Sequence, residues 1–126
     1  MKKIIHTPKA PAPIGPYSQA VLSGDTLYIS GQIPLNPETG LLVENDIQAE
    51  TRQVMENIKA ILDAAGMTFE HVVKASIFVT DMHQFFAINT VYGAYFNSET
   101  APARETVEVA HLPKFVRIEI SMIAVT

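Results

Sequence analysis

Apolar residues along the chain keep one of two periods, and the points where the period changes mark its elements. Lys2 to Ile5 suits a short edge strand. From His6 to Pro16 the prolines at 8, 11, 13 and 16 exclude helix and favour an extended path. Ile14 and Tyr17 among these prolines predict a rigid segment that places Tyr17. Ser18–Leu22 and Thr26–Ser30 flank the turn signal Ser23-Gly24-Asp25 and read as a hairpin, with Leu27 and Ile29 opposed to Tyr28 and Ser30. Gly31 follows directly. Its missing side chain fits either close approach by a ligand or another backbone, or a bulge or strand exit. Residues 34–40 read as a loop.

The period then lengthens. Asp46 as N-cap and Gly66 as the C-terminal stop frame a helix to Ala65. Ile47, Thr51, Val54, Met55, Ile58, Ile61, Leu62 and Ala65 form its buried stripe. His71–Thr80 is apolar almost throughout and suggests a central strand. Asp81 with Gln84 three residues later resembles a capping box opening a second helix to Asn97. Phe85, Ile88, Val91, Tyr92, Tyr95 and Phe96 read as its core face, with Asn89 either at the edge of that face or turned to water.

Period two returns in Arg104–Val109, where Val107 and Val109 oppose Arg104, Thr106 and Glu108. It continues in a last strand with Val116, Ile118, Ile120 and Met122 on one face and Arg117, Glu119 and Ser121 on the other. By this reading Arg104 and Glu119 both sit on faces turned away from the apolar side. Ile123 and Val125 continue the face of Glu119, so that face is not simply wet. The order predicts an α+β fold, one sheet with two helices on one face, in which the step from His71–Thr80 through the second helix to Arg104–Val109 is parallel. The short link before Phe115, taken alone, would pair the last two strands directly. Two helices cover one face only. The other, with Phe115, Ile123 and Val125, is apolar enough to predict oligomerisation.

Composition narrows the function classes. The length of 126 residues suits a single domain over 1–126. No segment approaches the ~18 uninterrupted apolar residues of a membrane span. The N-terminus has no signal-peptide apolar run, so a cytoplasmic setting is expected. Absence of cysteine excludes thiol catalysis, disulfides and cysteine-based zinc sites. His6, His71, His83 and His111 are scattered, so no metal is expected, and neither a phosphate-cradling glycine loop nor a nucleophile elbow is present. A net charge of −4 argues against broad nucleic-acid affinity.

What remains is an arginine, placed by the stiff Ala-Pro-Ala that precedes it, and a carboxylate at Glu119. Pro102-Ala103-Arg104, Val107-Glu108-Val109-Ala110, Leu112-Pro113 and Ile118-Glu119-Ile120 resemble the signature of the Rid (YjgF-like) family of reactive intermediate deaminases. So do Ala12-Pro13-Ile14-Gly15-Pro16-Tyr17-Ser18-Gln19-Ala20 and Ser30-Gly31-Gln32-Ile33-Pro34. The resemblance covers nearly the whole chain. It implies a chorismate mutase-like mixed sheet with His71–Thr80 between the last two strands, and a homotrimer with sites in the clefts between subunits. It also implies cofactor-free hydrolysis of 2-imino acids, formed with their enamine tautomers by PLP-dependent dehydratases, to 2-keto acids and ammonia.

On that resemblance Arg104 takes the substrate carboxylate in a two-pronged grip and Glu119 orients and deprotonates a water. Tyr17 and Ser30 hydrogen-bond substrate or the departing amine, Gly31 permits close approach, and Asn89 and the backbone N–H of Thr106 support. Two positions depart from the family pattern: Thr106 stands where cysteine is common, and Glu105 where a small residue is usual. The rival expectation is a small-carboxylate-binding trimer acting as a regulatory or chaperone-like protein, which would need the arginine but not the glutamate.

Overall fold

The computed structural model describes residues 1–126. Its strands are β1 (Lys2–Ile5), β2 (Ala20–Ser23), β3 (Thr26–Gln32), β4 (Val72–Val79), β5 (Ala103–Glu108) and β6 (Ile118–Val125). Its helices are α1 (Ile47–Ala64) and α2 (Phe85–Gly93). The strands form one mixed sheet in the order β1-β2-β3-β6-β4-β5. β4 and β5 are parallel; every other neighbouring pair is antiparallel. β4 therefore lies between β5 and β6, as the resemblance implied and against the direct pairing that the short link alone suggested. No helix is long and apolar enough to cross a membrane.

Alternation decides the layers. Leu27, Ile29, Ala75, Ile77, Val79, Ile118, Ile120 and Met122 are buried on one face, against Val54, Met55, Ile58, Ile61 and Leu62 of α1 and Ile88 of α2. The other face carries Tyr28, Phe78, Val107 and Ile123, with Tyr28 and Val107 exposed at 51% and 41%. It has no layer over it.

α1 begins where expected, with Asp46 Oδ1 accepting the Ala49 N–H at 2.8 Å. It stops at Gly66, whose φ of 73° is the left-handed conformation that ends helices. Its buried face includes two polar residues that the stripe omitted. Asn57 donates to the Ile33 and Leu35 carbonyls (3.1 and 2.9 Å), and Glu50 pairs with Arg117 through two hydrogen bonds.

Other boundaries moved for local reasons. β2 starts at Ala20 rather than Ser18, because Ser18 gives its carbonyl to the Ser30 hydroxyl. β3 runs on to Gln32. The expected capping box at Asp81 is absent: Asp81 caps a 3₁₀ turn at Met82–Gln84 by accepting from His83 N. α2 then stops at Gly93 instead of Asn97, and Tyr95 and Phe96 leave the helix to pack their rings on Phe69 at 5.2 and 5.3 Å. A capping box does occur, unexpected, at Thr68 and His71. Phe115, expected on the uncovered face, sits in a turn outside the sheet.

Candidate active site

The outward placement of Arg104 does not hold. In the β4–β5 register Arg104 lies opposite Ala75 and Thr106 opposite Ile77, and those β4 residues belong to the helix-covered face. Val107 lies on the open face with Ala103 and Glu105. The apolar character of one strand misled here, because β5 is an edge strand whose inward positions are not all apolar. Glu119 is placed as expected: it lies opposite Phe78, on the uncovered face.

Two separate clusters result. The first surrounds Arg104, seated on α2. Its Nη1 donates to Asn89 Oδ1 at 2.7 Å, and its guanidinium lies 5.6 Å from the ring centre of Phe85 and 5.1 Å from that of Tyr92. Phe85, Asn89 and Tyr92 are spaced four and three residues apart, the spacing that aligns side chains along one helix face. The guanidinium is held by one nitrogen and two ring faces. Its Nε–Nη2 edge is free of protein partners, the edge that can grip a carboxylate with two parallel hydrogen bonds. Two buried hydroxyls in the same region, Thr106 Oγ1 and Tyr92 Oη, have no partner within the chain. Burial pushes the Tyr92 hydroxyl above its ordinary pKa, so it is a neutral donor. The sequence reading treated Phe85 and Tyr92 as core alone. The signal available was Asn89 between them on a helix following the strand that neighbours Arg104.

The second cluster surrounds Glu119 in a 300 Å³ pocket lined by Ile14, Tyr17, Ser30, Gly31, Ile33, Pro113 and Glu119. The β3–β6 register shifts between Ile29 and Gln32, so Gly31 sits in a bulge. The Glu119 carboxyl lies over it: a Cβ at Gly31 would fall within 2.7 Å of Glu119 Cδ and overlap its Oε2. The bulge alternative for Gly31 is realised, and the space left by its missing side chain is taken by the Glu119 carboxyl instead of a ligand or another backbone. Burial alone pushes the Glu119 carboxyl above its ordinary pKa, making it a better base than a solvated glutamate.

The neighbours of Glu119 are committed in complementary ways. Ser30 Oγ donates to the Ser18 carbonyl at 2.6 Å, so its hydroxyl can only accept from a ligand. Tyr17 Oη accepts the Ile14 N–H at 3.2 Å, which leaves its proton free to donate. The segment bearing Ile14 and Tyr17 is tied down by Gln19, whose side chain takes the Thr7 N–H and donates to the carbonyls of Thr7, Ala10 and Pro11. Gln19, Ile33 and Pro113 were missed as site-building residues; the signal for a fixed arm was Ile14 and Tyr17 among the prolines.

Within the chain the structure groups Tyr17, Ser30 and Gly31 with Glu119, and Asn89 and Thr106 with Arg104. The two groups lie on opposite faces of the sheet. Glu105 also faces away from Arg104, bonded to Ser76 and 2.9 Å from Lys74. No group of three or more His, Cys, Asp or Glu side chains is arranged to hold a metal ion.

Residues 7–126 match the family model described as Endoribonuclease L-PSP. A RutC family protein of Pyrococcus horikoshii is 54% identical over 124 residues, covering 98% of each chain. Among solved structures, the Rid family protein YyfA of Yersinia pestis, of unknown function, superposes with a TM-score of 0.96 at 50% identity, covering 100% of both chains. TdcF of E. coli with bound serine gives 0.92 at 45% identity, covering 98% of both. With the sheet order, the Arg104 and Glu119 motifs and the matched length in agreement, the chain belongs to the Rid (RutC, YjgF-like) family.

Proposed function

We propose that the protein is a homotrimeric 2-iminobutanoate/2-iminopropanoate deaminase, hydrolysing 2-imino acids to 2-keto acids and ammonia at sites shared between subunits. The observation that carries this reading is a half-buried carboxylate without an ion-pair partner, Glu119, facing an open pocket walled in part by Ile14, Ile33 and Pro113. A site that only captured carboxylates would be weakened by a glutamate there. A site that activates water needs one. The exposed apolar face, with Tyr28 and Val107, supplies the surface on which a second copy would pack. Such packing would bring the Glu119 face of one subunit against the Arg104 edge of the next.

In that assembly the free edge of Arg104 binds the substrate carboxylate, assisted by the Thr106 backbone N–H. The side chain enters the pocket between Ile14, Ile33 and Pro113. Protonated imine carbon is electrophilic without further activation. Glu119 takes a proton from water as the water oxygen bonds to that carbon. The resulting carbinolamine breaks its C–N bond: the Glu119 acid protonates the nitrogen, which leaves as ammonia, and the Glu119 carboxylate so regenerated takes the hydroxyl proton as the carbonyl forms. Ser30 Oγ accepts an N–H of the departing amine, and Tyr17 Oη donates to the developing alcohol. The bound serine of TdcF, a small amino acid with the same α-carboxylate, is consistent with this ligand class.

The ribonuclease activity in the family model's description finds no support in the charge: a net −4 argues against broad affinity for a phosphate chain. The test is a coupled assay in which a threonine dehydratase generates the imine and semicarbazide competes for it. Faster 2-ketobutyrate release with wild type, lost in Glu119→Gln, is expected. Release unchanged by the protein removes the deaminase reading.

A further inference from the structure

The back wall of the Glu119 pocket is thin. Ile14, Tyr17, Gly31 and Ile33 line the 300 Å³ pocket and also a 20 Å³ gap behind it, which has room for about one water molecule. Past Pro11, Ala12 and Leu35 the gap adjoins a 460 Å³ groove between the proline arm at His6–Ala12 and the Leu35–Gly40 loop. Pro8, Ala10, Pro11, Ala12, Leu35 and Pro37 make much of that groove apolar.

Of the four residues shared by pocket and gap, Gly31 has no side chain, and Tyr17 is tied to the Ile14 backbone. Ile14 is itself 55% exposed. Ile33 alone is buried, at 8%, and it stands outside the main hydrophobic cluster. It lines both the pocket and the gap behind it. Its backbone is independently fixed, with the carbonyl accepting from Asn57 Nδ2 at 3.1 Å and from the Leu35 N–H at 2.7 Å. The opposing wall is fixed by Gln19. A side chain lost between two pinned walls leaves space instead of collapse.

We propose that Ile33 sets the length of substrate side chain the site accepts, because it closes the pocket against the groove beneath the proline arm. This rests on the 2-imino acid reading, in which Arg104 of the neighbouring subunit holds the carboxylate at the mouth and so directs the side chain toward Ile33. The ligands that a shortened residue 33 should admit are 2-imino and 2-keto acids with longer unbranched aliphatic chains.

The experiment is calorimetric titration of the full chain with stable keto acids, 2-ketobutyrate as the short and 2-ketohexanoate as the long. Wild type should prefer the short acid by about tenfold or more, the scale of misfit methylenes in an apolar pocket. Ile33→Ala should shift the long-to-short affinity ratio toward the long acid by about tenfold, and Ile33→Val in the same direction by about threefold. The milder variant keeps the test valid if the alanine chain fails to fold. Ratios equal to wild type in a folded variant overturn the assignment of Ile33. Wild type that binds neither acid overturns the carboxylate site beneath it, a result separate from an unshifted ratio.

Discussion

Arg104 and Glu119 lie on opposite faces of the same sheet: Arg104 is level with Ala75 of the buried face, and Glu119 with Phe78 of the open one. Flexing of side chains cannot bring them together through the intervening strand. If they act on one substrate, they belong to different subunits.

Arg104→Ala and Glu119→Ala chains should therefore each be inactive alone and regain activity when co-assembled. In a closed ring every mixed trimer contains one junction where an intact Arg104 meets an intact Glu119, so about one site in three is restored. Mixing denatured variants, refolding them together and assaying imine hydrolysis measures this. No recovery from mixed trimers would place the site within one protomer or remove one of the two residues from it.

The α2 seat should matter for binding more than for chemistry. Arg104→Lys keeps the charge but loses the second prong, weakening 2-ketobutyrate binding by about 1.5–3 kcal/mol. Asn89→Leu keeps the arginine and removes its anchor, and is expected to cost about 1 kcal/mol, the worth of one hydrogen bond. Glu119→Gln should leave keto-acid binding near wild type while turnover falls about 100-fold, the lower range of general acid–base assistance. Calorimetry and the coupled assay separate the two effects.

Glu119 also predicts a pH dependence. Burial raises its pKa above the ordinary 4.5, so the fold favours the protonated form. Its contribution to stability is complete below the ordinary value and is lost as pH rises through the raised one. Glu119→Gln removes that loss, so its Tm advantage over wild type should grow from acid to neutral pH. For activity the base must be ionised, and the acid limb of kcat/KM should lie above 4.5. A limb at or below that value would show that the neighbouring Arg104 outweighs burial.

Gly31→Ala should fail for a steric reason, since its Cβ meets the Glu119 carboxyl. The φ of Gly31 is not in the left-handed region, so alanine's backbone preference is no obstacle. The expected cost is about 1–3 kcal/mol of stability, with loss of turnover as Glu119 is displaced. Adding Glu119→Ala should recover stability but not activity, a double-mutant cycle readable by thermal melting.

The Glu50–Arg117 pair should respond asymmetrically. The side chain of Glu50 is 4% exposed and that of Arg117 42%. Arg117→Met strands a buried carboxylate and should cost about 3 kcal/mol, whereas Glu50→Gln leaves an arginine that reaches water and should cost less. Urea unfolding of the two variants checks the order; equal losses would count against it.

The sequence by itself determined the order of the main elements and the face on which Glu119 sits. Asp46 and Gly66 framed α1 because caps act locally, and the alternation of Ile118, Ile120 and Met122 settled the direction of Glu119 because β6 is an interior strand with one buried face. The family motifs supplied the β5-β4-β6 order, which local pattern alone had misjudged. Only the tertiary structure decided where Arg104 points. β5 is an edge strand, and its inward positions meet the Phe85–Asn89–Tyr92 face of α2 instead of the apolar core, so polar residues can stand there without breaking the fold. Gln19 and Asn57 were illegible for a related reason. Each acts on segments brought beside it by the fold, and a partner met through space leaves no period in the chain.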